Sequence, residues 1–296
     1  MDFLLQLLAN GVVMGSIYSL AALGFVLIYK SSRVINFAHG EFVALGAFAV
    51  LWYALALRLP LPVGLLLAAA TFYVLGLVVE RAMLKPFVGK PAVSVIMATI
   101  GLSSILKGFM YLVWGPGYFR FPPMLPDVPI ALGDMVYLSP LQLFALGLAA
   151  VFIGAFSLFF RRSITGISMR AVADDQQAAL ALGVSVRRVF ALAWAVALVS
   201  AVASGYVVGN LTSLSTDGVS AIGLMVFPAV IAGGLDSIPG AVVGGILVGI
   251  LENLTAGYLD PLVGVSLRQV VPFVVLVLVL MARPYGLFGT VEIERV

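Results

Sequence analysis

Cysteine is absent from this sequence of 296 residues, histidine occurs once, and charged residues make up only 10% of the chain. Without cysteine there are no disulfides, thiolate metal ligands or cysteine nucleophiles. A single histidine, His39, cannot supply a usual zinc site without cysteine partners. The chain also has no G-x-x-x-x-G-K-[ST] sequence, so it cannot bind ATP through a P-loop. We therefore predict neither an enzyme nor a resident metal or cofactor.

Hydrophobic residues make up 62% of the chain. A soluble domain carries about 25% charged residues, so this sequence has too few charges to cover a surface in water. The remaining solvent is lipid, and nucleic acid is not expected as a partner. We predict one all-α transmembrane domain over residues 1–296, a polytopic helical bundle with broken or half-helices.

Nine apolar runs are candidate membrane spans, since about 20 residues at 1.5 Å each cross a hydrocarbon core about 30 Å thick. The seventh run contains Pro228 and is short, so it is interpreted as a half-helix or a re-entrant segment. The prediction is therefore eight or nine spans. The runs are 3–29, 34–57, 61–80, 92–114, 140–160, 189–212, 220–235, 238–257 and 268–283.

The basic residues are unevenly divided between the two sides of this arrangement. Of the 16 lysines and arginines, twelve fall on one side, Lys107 lies within a span, and only Arg58, Arg120 and Arg268 fall on the other side. The side richer in Lys and Arg is normally cytoplasmic. This places the N-terminus outside and the C-terminus in the cytoplasm, with nine spans.

The long connection on the side poor in basic residues, residues 115–139, contains five prolines. Proline lacks the amide hydrogen that a helix interior needs, so this connection is predicted to be ordered but not helical. Two interpretations remain open for it: an external docking surface and a stiff connector.

The connection over residues 161–188 is the only long one on the basic side. It contains a sequence that starts with two acids, continues with Ala and Leu, and ends in Gly, a pattern that predicts a short helix over residues 174–183. Small side chains let another protein approach closely; the alternative is an ordinary surface loop. The candidate docking residues are Asp174, Asp175, Ala178, Ala179, Leu182 and Gly183.

Asn36, His39 and Glu41 stand at the start of an otherwise apolar span. Ionisable groups within a membrane are costly, which makes them candidates for a translocation gate. The competing interpretation places them at the membrane interface, where they cap the helix and reach water.

Gly233, Gly234, Asp236 and Ser237 belong to a glycine-rich stretch that suggests a break between two half-helices. Breaks of this kind expose backbone groups that can hold substrate, so these four residues are also translocation candidates. Gly240, Gly244, Gly245 and Gly249 form two G-x-x-x-G pairs, and for most such glycines the alternative is close helix packing.

Five parts of the sequence resemble LivH-type permeases of the branched-chain amino-acid ABC importer family. They are the first helix, the N-F-A-H-G sequence from Asn36, the segment from Arg170 to Gly183, the glycine-rich stretch, and the ending from Arg283 to Gly289. Asp236 stands where that family has glycine. The resemblance implies a permease of a bacterial inner-membrane importer for branched-chain or other amino acids, or small amides such as urea.

The resemblance also implies the partners of the chain. They are a second permease, two ATP-binding subunits and a periplasmic substrate-binding protein, with ATP bound by the partners and the 161–188 loop acting as a cytoplasmic coupling loop. Two other kinds of transporter stay open. One is an ion-coupled transporter or channel using Glu41, Lys107 and Glu252, and the other is a sugar permease of the same superfamily. An intramembrane enzyme is remote.

Overall fold

The computed structural model describes residues 2–87, 90–122, 128–133 and 135–290. Within them, seven helices are long and apolar enough to cross a membrane, and two shorter apolar helices accompany them. This confirms the predicted all-α bundle. In chain order the elements are α1 (Asp2–Ser32), α2 (His39–Leu55), α3 (Leu61–Val79), α4 (Ala92–Trp114), β1 (Ile130–Leu132), β2 (Val136–Leu138), α5 (Pro140–Arg162), α6 (Ile164–Asp174), α7 (Gln176–Ala181), α8 (Val186–Thr212), α9 (Thr216–Gly233), α10 (Ile238–Leu254), α11 (Asp260–Val263) and α12 (Val271–Ala282).

The bundle has two ends, which we call the hairpin end, carrying β1 and β2, and the α7 end, carrying α6 and α7. Helix α1 joins both. Near its start, the Gln6 side chain exchanges two hydrogen bonds with the Tyr137 backbone, at 2.9 and 2.8 Å. Near its other end, the Lys30 ammonium lies 5.6 Å from the ring centre of Phe160, late in α5. α1 and α5 therefore both run from the hairpin end to the α7 end.

The helices fall into an inner and an outer group. Most residues of α1, α2, α8 and α9 are buried, whereas α3, α4, α5 and α12 leave large apolar side chains exposed. A helix that is apolar on all sides must be covered by protein or by lipid. The inner helices are covered by protein, and the outer ones present the apolar surface that a bilayer requires.

Glycines bring α1 and α10 into backbone contact. A Cβ on Gly15 would lie 2.4 Å from the Cα of Ile246, and one on Gly249 would lie 2.2 Å from the backbone nitrogen of Gly15. No side chain fits at either position. The interpretation of the Gly245/Gly249 pair as a helix-crossing device is therefore confirmed.

The structure corrects two of the predicted helices. The second begins at His39 and not near residue 34, because residues 33–36 have no regular secondary structure and residues 37–38 form a turn. The seventh is not a half-helix. Helix α9 is an 18-residue helix that continues through Pro228, which is buried.

The 115–139 connection agrees with the prediction in the part that the structure describes. It contains no helix there; β1 pairs antiparallel with β2, and Phe119 forms a bridge with Leu214 beyond α8. Three of its prolines, Pro116, Pro122 and Pro129, are in the described part. Pro123, Pro126, Asp127 and Asp134 lie outside the described residues.

Candidate functional site

The predicted short helix of the 161–188 connection is present as α7, but its start is different. Asp174 is the last residue of α6, and Asp175 is the N-cap of α7. The Asp175 carboxylate accepts hydrogen bonds from the backbone nitrogens of Gln177 at 2.8 Å and Ala178 at 3.0 Å. An aspartate in this position satisfies amide groups that a helix start leaves free.

The end of α7 follows the prediction. Gly183 has φ +82°, a left-handed conformation that favours glycine after a helix. The backbone nitrogen of Val184 donates to the Ala179 carbonyl at 2.9 Å, which closes the last turn. Both ends of this two-turn helix are thus fixed by local hydrogen bonds.

The candidate docking residues do not all face the same way. Ala179 is only 2% exposed and packs against the rest of the chain, so its side chain is not part of an open surface. Ala178 and Gly183 are exposed, and so are Leu180 and Leu182, the latter at 83%. The free tip of α7 is therefore apolar, with the exposed acids Asp174 and Asp175 beside it.

Helix α6 was not predicted, and it fastens α7 to the bundle. Its N-cap, Ser163, accepts from the Gly166 nitrogen at 2.9 Å. A Cβ on Gly166 would lie 2.6 Å from the Phe160 carbonyl oxygen, so α6 touches the end of α5 directly. Arg170 donates to the carbonyls of Phe160 and Arg161, which a helix end otherwise leaves free. The sequence signal was the apolar pair Met169 and Val172, both buried.

The residues between Asn36 and Glu41 lie deeper than the interface interpretation required. Nε2 of His39 lies 2.9 Å from the Ala21 carbonyl oxygen in the middle of α1, and both His39 and Asn36 are buried. The Asn36 side chain accepts from the backbone nitrogen of Ala38 at 3.1 Å. Ala21 stands about 16 Å before the end of α1, at 1.5 Å per residue. The non-helical residues 33–38 therefore re-enter the bundle, and the capping interpretation of His39 is wrong.

A groove follows the exposed side of α9, where Asp217, Gly218, Ala221 and Leu224 come at spacings of three and four residues. A cavity of about 350 Å³ lies beside it, and its lining includes Glu41, of the predicted gate set, and Lys107. The Lys107 ammonium is 2.7 Å from the Asp217 carboxylate. The groove therefore carries charged groups on an otherwise apolar bundle.

Aromatic rings lie at the part of the groove that is nearer the α7 end. Phe37 stacks on Phe227 with ring centres 5.1 Å apart, and Phe227 meets Phe25 edge-on at 5.0 Å. Nearby, α2 and α9 cross at two glycines, since a Cβ on Gly223 would lie 2.6 Å from the Cα of Gly40. None of these three aromatic residues was predicted as a site residue from the sequence, because aromatic residues are common in apolar spans.

A second cavity, of about 490 Å³, opens at the hairpin end. Glu252 projects into it from α10, accepts a hydrogen bond from the Tyr18 hydroxyl, and lies 3.4 Å from Nε of Arg268. Asp217 lines this cavity too, which joins it to the α9 groove. The charge of Glu252 was singled out in the sequence, whereas Arg268 was used only to orient the chain and Tyr18 was not considered.

The glycine-rich residues form the connection between α9 and α10 at the α7 end, and they pack against the residues that follow α12. α9 ends at Gly233, Gly234 has φ +114°, and Ser237 is the N-cap of α10, accepting from the Gly240 nitrogen at 3.1 Å. The Gly233 carbonyl accepts from the Phe288 nitrogen at 2.9 Å. The predicted break is confirmed, but it separates two complete helices.

Asp236 is part of the same α9–α10 connection. Its carboxylate accepts hydrogen bonds from Thr290, and its backbone carbonyl accepts from the Lys30 ammonium at 3.1 Å. None of the four predicted residues of this stretch, from Gly233 to Ser237, lines the two cavities beside α9. The structure thus brings Glu41 to the groove and separates the glycine-rich residues from it.

The chain matches a known protein family over most of its length. Residues 7–280 match the family described as branched-chain amino acid transport system, permease component. The chain is 30% identical over 306 aligned positions to the high-affinity branched-chain amino acid transport system permease protein LivH of Escherichia coli K12, with 99% of this chain and 98% of LivH covered.

Two further relatives cover almost the whole chain. BraD of Pseudomonas aeruginosa, a permease protein of the same kind of system, is 30% identical, with 99% of this chain and 98% of BraD covered. The probable LivH of Methanocaldococcus jannaschii is 27% identical, with 96% and 92% covered. Among solved structures, PsaBC from Streptococcus pneumoniae in complex with Fab is similar at a TM-score of 0.49 and 13% identity over 97% of this chain and 94% of that chain, too remote to carry an argument.

Proposed function

Because the chain belongs to the LivH-type family of branched-chain amino acid transport permeases, we propose that it forms part of the membrane channel of an ATP-driven importer. The substrates proposed for it are branched-chain amino acids, with related small amides such as urea as a further possibility within the same family. The chain binds no ATP itself in this proposal; partner subunits bind and hydrolyse it.

The partners follow from the architecture of such importers. We propose a second related permease, two ATP-binding subunits at the α7 end, and a periplasmic substrate-binding protein at the hairpin end. The assembly would lie in a bacterial inner membrane with the N-terminus outside and the C-terminus in the cytoplasm. The excess of Lys and Arg at the α7 end supports this orientation.

The exposed apolar tip of α7 is the observation that carries the ATP-driven part of the proposal. Leu180 and Leu182 are among the exposed large apolar side chains of the structure. They stand beside the exposed acids Asp174 and Asp175 in a loop outside the spans. Apolar side chains in that position favour burial in a groove of another protein. We propose that this groove belongs to an ATP-binding subunit.

The attachment of α6 gives docking a mechanical consequence. Arg170 fastens α6 to the last carbonyls of α5, and its guanidinium lies 5.7 Å from the ring centre of Phe160. The Lys30 ammonium lies over the same ring, at 5.6 Å. A displacement of α7 would therefore move α5 and α1 together, because rigid helices joined by packed side chains transmit motion as a body.

The groove along α9 is the proposed translocation path. Its charged residues, Glu41, Lys107 and Asp217, have little purpose on a surface facing lipid, since a charge at mid-membrane costs roughly 2.5–3.5 kcal/mol. The Phe37–Phe227 stack, in the part of the groove nearer the α7 end, would act as the inner gate. In this proposal Glu41 lines the path, whereas Asn36 and His39 position Phe37 from behind.

Reconstitution tests the proposal. The chain is purified with its partner subunits, placed in proteoliposomes, and supplied with radiolabelled leucine and the loaded binding protein. We expect leucine uptake that requires ATP on the side of the α7 end and persists without an ion gradient. Uptake that follows a proton or sodium gradient in the absence of ATP would instead support the ion-coupled alternative, in which Glu41, Lys107 and Glu252 carry the coupling.

A further inference from the structure

The cavity at the hairpin end brings an acid and a base together in an unusual setting. Glu252 is 5% exposed in its side chain, Arg268 is 50% exposed, and the closest contact between them is 3.4 Å. Building on the proposed function, we infer that this cavity is a binding site for the zwitterionic backbone of an α-amino acid. The Arg268 guanidinium receives the substrate carboxylate, and the Glu252 carboxylate receives the substrate ammonium group.

Arg268 is free to take a second carboxylate. Its recorded contact with Glu252 is made by Nε, and its two terminal nitrogens have no hydrogen-bond partner among the described residues. A guanidinium binds a carboxylate best through two parallel hydrogen bonds from such a pair of nitrogens. Arg268 also precedes α12 and lies outside the regular helices, so its side chain can turn toward a ligand without disturbing a span.

Glu252 is incompletely compensated. One carboxylate oxygen accepts from Tyr18, and the other faces Arg268 at a distance longer than a strong charge-assisted hydrogen bond. An ionised carboxylate inside a membrane protein is costly unless it is paired and hydrogen-bonded. An ammonium group in the cavity would supply the missing donor.

The charge balance of the cavity selects the ligand class. Glu252 and Arg268 together carry no net charge, and the neighbouring Asp217 is paired with Lys107 at 2.7 Å. A net anion or cation would leave one charge uncompensated in a site that is partly shielded from water. A zwitterion would replace the Glu252–Arg268 ion pair with two ion pairs between the protein and the ligand, and the net charge of the cavity would stay at zero.

The rest of the lining fits an aliphatic amino acid. Met14, Ile222 and Met225 line the cavity and can cover a branched side chain. Thr216, the first residue of α9, is buried with a hydroxyl that has no hydrogen-bond partner among the described residues. The start of a helix favours a carboxylate through its free amide groups, so this hydroxyl adds a donor where a carboxylate is favoured.

Binding measurements on the whole complex in lipid nanodiscs, without the binding protein, test the inference. Radiolabelled leucine is bound and then displaced by leucine, by leucinamide, which lacks the carboxylate, and by 4-methylpentanoate, which lacks the ammonium group. We expect each analogue to require a concentration at least about 10-fold higher than leucine to displace the label, since each lacks one charge-assisted interaction.

The variants assign each charge to its partner. In Arg268→Gln, which lacks the partner of the substrate carboxylate, leucinamide should compete about as well as leucine. In Glu252→Gln, which lacks the partner of the ammonium group, 4-methylpentanoate should compete about as well as leucine. Arg58→Gln, which removes another exposed arginine of the same side, is the control and should keep the wild-type discrimination. If the ion pair were purely structural, its loss would not change how well the complex distinguishes leucine from the two analogues. Discrimination equal to wild type in both variants therefore overturns the inference.

The same preparations separate this inference from the proposed function. If the wild-type complex imports leucine with ATP but the variants discriminate as the wild type does, the site assignment fails and the importer stands. If the wild-type complex shows no ATP-dependent uptake, the proposed function itself fails.

Discussion

The His39 ring nitrogen Nε2 donates a hydrogen bond of 2.9 Å to the Ala21 carbonyl, which joins the start of α2 to the middle of α1. This bond fixes the depth at which residues 33–38 turn back into the bundle. Phe37 belongs to that segment, and its backbone nitrogen donates to Thr99 of α4 at 3.3 Å. The position of the proposed inner gate therefore depends on a histidine that does not line the groove.

Replacing His39 with alanine should destabilise the protein. The substitution removes a buried ring and the donor to the Ala21 carbonyl, and leaving a buried acceptor without its partner costs about 1–3 kcal/mol. We expect a lower thermal unfolding midpoint in detergent and less protein in the membrane. His39→Gln, which keeps an N–H donor, should retain part of the stability. A midpoint equal to wild type in His39→Ala would show that this bond contributes nothing.

Gly40 should not tolerate a methyl group. A Cβ there would lie 2.5 Å from the Ser220 carbonyl oxygen and 2.9 Å from the Cα of Gly223, both backbone atoms that cannot move cheaply. Gly40→Ala should therefore lower the unfolding midpoint.

Gly101, on exposed α4, is the matched control for Gly40, because a Cβ there meets nothing within 4 Å. Gly101→Ala should leave stability unchanged or raise it by up to about 1 kcal/mol, the helix-propensity gain. Equal effects at the two positions would contradict the close α2–α9 crossing.

The Lys107–Asp217 pair should matter for transport more than for stability. Its side chains are 43% and 65% exposed, and exposed pairs contribute about 0–1 kcal/mol. Asp217→Asn should thus keep the unfolding midpoint near wild type and reduce leucine uptake several-fold, because the groove would carry an unpaired lysine. Unchanged uptake in this variant would remove the pair from the translocation path.

The predicted orientation can be tested with single cysteines, since the natural sequence has none. Val128, at the hairpin end, and Gln177, on α7, are both exposed. In whole cells expressing the chain without partners, a membrane-impermeant thiol reagent should label Val128→Cys and not Gln177→Cys. The reverse pattern would invert the orientation.

The helices could be predicted because a lipid bilayer allows few backbone conformations for an apolar segment that crosses it. Backbone groups in a bilayer must be satisfied within the helix, so an apolar run of sufficient length is a helix. The start of α2 could not be predicted in this way. Residues 34–38 are apolar apart from Asn36, and hydropathy alone does not distinguish a non-helical segment packed among helices from the first turn of a span.

The site was predicted less completely than the fold. The α7 sequence signals its own ends through Asp175 and Gly183, which act locally. In contrast, Arg268 and Glu252 are 16 positions apart and meet only after α10 and α12 have packed. The buried side of Ala179 likewise depends on how α7 lies against the bundle, which no local pattern reveals.

The most direct test of the account is a charge placed on the tip of α7. Leu182→Asp puts a carboxylate on the exposed apolar tip, and Leu132→Asp makes the same change on β1 at the opposite end, where the leucine is also exposed. Both variants are assembled with the partner subunits, and retention of the ATP-binding subunits is measured together with ATP-driven leucine uptake. We predict that Leu182→Asp reaches the membrane in normal amounts, loses the ATP-binding subunits and abolishes uptake, while Leu132→Asp keeps them. A Leu182→Asp complex that retains its ATP-binding subunits and transports leucine at the wild-type rate would contradict the account.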